Sequence, residues 1–135
     1  MFAEVIVDIS ASAVDKIYDY DITGFNVEEG MRVLVPFGKF NIEGFIIRIK
    51  ESTNYDIKKV KKIIAPIDDF AVITKEMIEL MHKMCAYYHL KYIDVLRLFI
   101  PSEMRTGKVK SLSKKVVHFT GDKEEIKQKL RKNAK

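Results

Sequence analysis

The chain has 135 residues, 47% apolar and 32% charged, which suits one small folded domain with extra sequence and excludes a disordered polymer. Its net charge of +5 is uneven: residues 108–135 carry ten Lys/Arg against three Asp/Glu, residues 1–107 fourteen against sixteen. A slightly acidic body is not expected to wrap a long duplex, which takes many phosphate contacts, so any nucleic-acid contact is expected to be local, at a pocket.

Residues 3–10 alternate, with Val5, Val7 and Ile9 against Glu4, Ile6 and Asp8, and are predicted as a strand. Residues 15–22 alternate again, placing Tyr18, Tyr20 and Ile22 opposite Ile17, Asp19 and Asp21. Thr23-Gly24 and Glu29-Gly30 are turn signals. A third strand is predicted over residues 31–35, ended by Pro36, and a fourth over 42–50, in which Gly44 marks a bulge or a close approach. A weaker fifth is predicted over 58–65, where Val60, Ile63 and Ile64 lie among four lysines. Short strands separated by turns predict a small sheet, closed or nearly closed into a barrel.

The period then changes. Thr74 caps a predicted helix with apolar positions Met77, Ile78, Met81, Met84, Cys85 and Tyr88. A second helix is predicted from Tyr92 to about Phe99, stopping before Pro101. The fold class is therefore mainly β (α+β), a small barrel with a C-terminal helical pair expected to plug one opening. Residues 1–107 form the domain. Residues 108–135 read as a linker and the incomplete start of a second domain, with a strand over 116–119 and a helix over 124–132.

Catalytic patterns are lacking. His82 and His89 are seven apart, not the i, i+4 spacing of a metal-binding HExxH, and GxSxG and GxxxxGK[ST] are absent. A single cysteine excludes an internal disulfide, and no CxxC offers a zinc site, so neither metal nor cofactor is expected. No apolar run reaches the roughly 18–20 residues that cross a bilayer, and Met1-Phe2-Ala3-Glu4-Val5 lacks a secretory signal's basic start. A cytoplasmic setting without membrane contact is expected.

Binding residues are better represented. Asp19, between Tyr18 and Tyr20, has two readings: solvated opposite core tyrosines, or facing a pocket. In the second, an ionised carboxylate accepts from a hydroxyl, and a terminal 3′-OH is a donor that an internal nucleotide lacks. Gly38 permits φ > 0 and close approach of a ligand, Lys39 can meet a phosphate, and Phe37 or a tyrosine can stack on a base. Those parts also suit a protein-interaction barrel whose aromatic pocket takes a peptide.

In order, Val5-Ile6-Val7, Ile17-Tyr18-Asp19-Tyr20, Gly30-Met31-Arg32-Val33-Leu34-Val35-Pro36-Phe37-Gly38-Lys39, Gly44-Phe45-Ile46-Ile47, Val60-Lys61-Lys62-Ile63-Ile64 and Met84-Cys85-Ala86-Tyr87-Tyr88 through to Pro101 are similar to one known pattern. Over residues 3–107 the chain resembles the N-terminal 3′-DNA-end-binding domain family of the primosomal replication-restart helicases. The resemblance implies an OB-like barrel that binds the 3′ end of the nascent leading strand at a stalled, branched fork, independent of base. It implies a terminal-nucleotide pocket of Tyr18, Asp19, Tyr20, Gly38, Lys39 and Lys61, to which the stacking argument adds Phe37. Many relatives have phenylalanine where this chain has Tyr18, a change that still permits stacking. It also implies partners: the remaining helicase domains of the same full-length protein, an ATP-dependent 3′–5′ DNA helicase, and other primosome proteins. Residues 108–135 would begin a winged helix. The motor and the zinc-binding part are not in this sequence, so the chain is not expected to be an enzyme.

Overall fold

The computed structural model describes residues 1–105 and Gly107. The strand expected over 116–119 and the helix over 124–132 lie outside them. The strands are β1 (Phe2–Val7), β2 (Ile17–Asp21), β3 (Arg32–Phe37), β4 (Phe40–Lys50) and β5 (Ala65–Pro66). They form one antiparallel sheet in the order β2-β1-β4-β3-β5. The long β4 is the spine, pairing β3 with its first half and β1 with its second. Helices α1 (Lys75–Tyr88), α2 (Tyr92–Phe99) and α3 (Ser102–Arg105) follow. The domain is mainly β with appended helices.

Alternation on the strands buries both faces of this sheet. Ala3, Val5, Val7, Val33, Val35 and Ile46 point into one cluster with Tyr20, Ile22 and Ile63. Ile6, Phe45 and Ile47 point into the other, where Ile78, Met81, Ile93 and Leu96 of the helices meet them. The helical pair therefore covers the outer face of β1 and β4; it does not plug an opening. Gly44 is a close approach, since a Cβ there would come within 2.5 Å of Val5 Cγ1. The bulge falls instead where β1 and β4 change register between Glu4 and Val5.

The fifth strand is much shorter than expected. Asp56 accepts from the Lys58 N–H at 3.1 Å and starts a 3-10 turn over Ile57–Lys59, and ladder pairing begins only at Ala65. The intervening segment still links the two sheet edges. Asp21 N–H donates to the Lys61 carbonyl at 2.9 Å and Ile63 N–H to the Asp21 carbonyl at 3.0 Å, while Ile64 N–H donates to Leu34 at 2.8 Å. One bridge, in place of a ladder, joins β2 to the β5 side.

Helix boundaries follow local chemistry. Thr74 Oγ1 accepts from the Met77 N–H at 3.4 Å, and His89 leaves α1 in the left-handed region at φ 54°. Asp15 Oδ2 accepts from the Tyr92 N–H at 3.3 Å, so the start of α2 is capped from a distant loop.

Arg32 on β3 is fully buried. Its Nε and Nη2 donate to the two oxygens of buried Asp68 at 2.6 and 2.8 Å. Nη1 reaches Glu43 at 3.1 Å and Nη2 the Gly107 carbonyl at 2.7 Å. Removing one partner of such a pair strands a charge in the interior. Asp68→Ala is expected to cost about 3–5 kcal/mol of unfolding free energy. Urea denaturation reads it; a loss below ~1 kcal/mol would mean that Glu43 and Gly107 alone satisfy the guanidinium.

Candidate functional site

Where the sheet is bridged and not laddered, it leaves a cleft of about 260 Å³. Its walls are β2, the end of β3 and the segment running back from residue 55 to 61. The wall from β3 depends on Pro36. The strand was expected to end before this residue but continues through it to Phe37. Phe37 pairs with Phe40 across the two-residue Gly38-Lys39 turn, which places Pro36 opposite Asn41 at a pair without ladder hydrogen bonds. The missing N–H thus faces the outer edge, where pairing with β5 has already stopped at Leu34. The Pro36 carbonyl on that edge accepts from the Tyr20 hydroxyl at 3.3 Å. Gly38 has φ 59°, as the first central residue of a type II′ hairpin requires, and open space where a Cβ would stand.

Of the seven residues expected at the site, Tyr18, Asp19, Tyr20, Phe37, Gly38 and Lys61 line this cleft. Lys39, the second turn residue, is exposed and is not part of the lining. Lys61 sits on the irregular segment after the 3-10 turn, with its carbonyl held by Asp21. The cleft also brings in Pro36, Tyr55, Lys59 and Val60. Strand periodicity could not nominate Tyr55, because residues 51–56 form a loop; the polar run Ser52-Thr53-Asn54 before an aromatic was its only signal.

The aromatic walls differ in what they leave free. Tyr18 and Phe37 pack edge to face with centroids 5.2 Å apart. Burial raises the Tyr18 phenol pKa, with Tyr55 adding to it, and the Tyr18 hydroxyl donates to the Val14 carbonyl at 3.4 Å. Tyr20 is buried, and burial followed by the neighbouring Tyr18 pushes its phenol up to about 12.

Asp19 fits neither expectation alone. Its side chain is only 4% exposed, so it is not a solvated surface carboxylate. Lys50 Nζ lies 2.8 Å from Oδ2 and the Thr53 hydroxyl donates to the same oxygen. Oδ1 receives no protein hydrogen bond among the described residues. Lys50 also reaches Glu4 at 3.0 Å. Burial pulls the Lys50 pKa down, but the hydrogen bonds to Asp19 and Glu4 outweigh it and the ammonium sits above its ordinary value. Two carboxylates thus share one ammonium, a balance that favours a donor over an anion beside Asp19.

The Tyr20 shift has a measurable consequence. A phenol raised from 10.0 to about 12 on folding keeps its proton longer in the folded chain. Its contribution is complete below pH 10 and falls by on the order of 2–3 kcal/mol as pH rises towards 12. Urea stability of the parent minus that of Tyr20→Phe should decline across that window. Parallel curves would show that Tyr20 titrates normally.

Among the described residues no cluster of three or more His, Cys, Asp or Glu could hold a metal, and no helix is long and apolar enough to cross a membrane. Residues 4–101 match the family model described as the 3′DNA-binding domain (3′BD) of PriA. The chain is 33% identical over 120 residues to the replication restart protein PriA of Bacillus subtilis (strain 168), covering 87% of this chain and 15% of that protein. It is 28% identical over 98 residues to the replication restart protein PriA of Haemophilus influenzae, covering 72% of this chain and 13% of that protein. The chain thus spans about one seventh of the length of these relatives. It belongs to the PriA 3′DNA-binding domain family.

Proposed function

From that membership and the shape of the cleft, we propose that the chain binds the 3′-terminal nucleotide of the nascent leading strand at stalled replication forks. It does so without regard to base, as the end-binding module of a longer replication-restart protein. The observation that carries this reading is Asp19: nearly buried in the cleft wall, with Oδ2 held by Lys50 and Thr53 and Oδ1 left to accept. A deoxyribose 3′-OH supplies the matching donor, and an internal nucleotide or a 3′-phosphate does not. Lys59 and Lys61 line the same cleft and can meet the preceding phosphate, with exposed Lys39 on the turn as an outer contact. Contact with base faces and with the terminus, and not with base edges, makes the binding indifferent to sequence. ATP-driven unwinding belongs in this reading to the motor of the longer protein, which these residues would direct to a strand end. In this reading the module ends near residue 107.

Fluorescence anisotropy with oligonucleotides that differ only at the terminus tests it. A 3′-OH end should bind tighter than a 3′-phosphate end by about 1.5–3 kcal/mol, and Asp19→Ala should remove about 1–3 kcal/mol from 3′-OH binding. With one or two phosphates engaged, log K should fall with log salt at a slope of roughly −0.7 to −1.4. Equal affinity for the two ends would sink the proposal, and absence of any DNA binding would favour a protein partner.

A further inference from the structure

The rings of the cleft are not equally available to a base. Tyr18 and Phe37 are packed against each other, and Tyr20 is buried with its hydroxyl on Pro36. Tyr55 remains: it lines the cleft, is 62% exposed and has no ring partner among the described residues. It stands on a loop that would wander if nothing fixed it. The Tyr55 N–H donates to Thr53 Oγ1 at 3.1 Å, and the Thr53 hydroxyl donates to Asp19 Oδ2. Lys50 anchors that same oxygen from β4. A chain of hydrogen bonds therefore runs from the spine of the sheet to the backbone of Tyr55.

We infer that Tyr55 is the residue on which the terminal base stacks, and that Thr53 is a positioning residue that holds it there through Asp19. This rests on the 3′-end reading above. It divides the labour of one carboxylate: Oδ1 meets the strand end, and Oδ2 fixes the loop that supplies the stacking face. Because Tyr55 is mostly exposed, its replacement removes a ligand contact and spares the core.

The test uses the 135-residue chain and a single-stranded oligonucleotide with a 3′-OH and 2-aminopurine as its last base. Stacking on an aromatic ring quenches that base. The parent should bind and quench. Tyr55→Ala should weaken binding roughly 5- to 150-fold and lose the quench, and Tyr55→Phe should keep both. Tyr55→Leu, which retains bulk without a ring, should behave as Tyr55→Ala and guards against a folding defect in the latter. Thr53→Val should weaken binding roughly 2- to 10-fold with a reduced quench, and Thr53→Ser should restore both. All these variants should retain the preference for 3′-OH over 3′-phosphate, because Oδ1 is untouched. A parent that binds while Tyr55→Ala binds and quenches equally overturns the stacking role alone. An inert Thr53→Val overturns the positioning role. A parent that ignores the 3′ end overturns this inference together with the reading beneath it.

Discussion

The buried guanidinium of Arg32 is the constraint on which the rest of the fold depends. Four of its N–H directions are answered, by both oxygens of Asp68, by Glu43 and by the Gly107 carbonyl. The hydrogen bonds to Asp68 raise its pKa despite the opposing effect of burial, so it stays charged. Burial conversely raises the Glu43 carboxyl, against the pull of Arg32. A cation in that position is tolerable only when each of these groups arrives together. Sheet, post-sheet segment and the carbonyl of Gly107 are thereby brought to one point.

The cleft inherits its shape from that convergence. Asp68 can reach Arg32 only if the chain from 61 to 67 runs along β3, where Ile64 N–H meets Leu34 and Ile67 N–H meets Arg32. The same run carries Lys61 past Asp21. Holding the segment at both edges leaves one short stretch uncovered, between the Tyr18-Asp19-Tyr20 strand and the Pro36-Phe37-Gly38 turn. The cleft is where closure of the sheet is incomplete.

Much of this was legible in the residues, and the failures share a cause. Alternation identified the Tyr18-Asp19-Tyr20 strand, and the Thr74 cap and Pro101 bounded the helices, because these are short-range signals. The lysines over 58–62 imitate a strand, yet Asp56 turns the chain before them; its side chain, an ordinary turn former, was the signal to weigh. Lys50 beside Asp19 and Asp68 beside Arg32 are pairs separated by 31 and 36 positions, and no local pattern announces which charges will meet. Tyr55 was hidden for the same reason, since a loop residue joins a cleft only through the path of the whole chain.

Pro36 has one more effect. A strand end with an unclaimed donor and acceptor is a template onto which another extended chain can add itself, and such templates invite aggregation. Here proline removes the donor and the Tyr20 hydroxyl occupies the acceptor. At Pro36 a second polypeptide therefore finds no donor and an acceptor already engaged, which disfavours strand addition there by a peptide or by a copy of the same molecule. The cleft is thus bordered by a strand end that offers little backbone grammar to another extended chain.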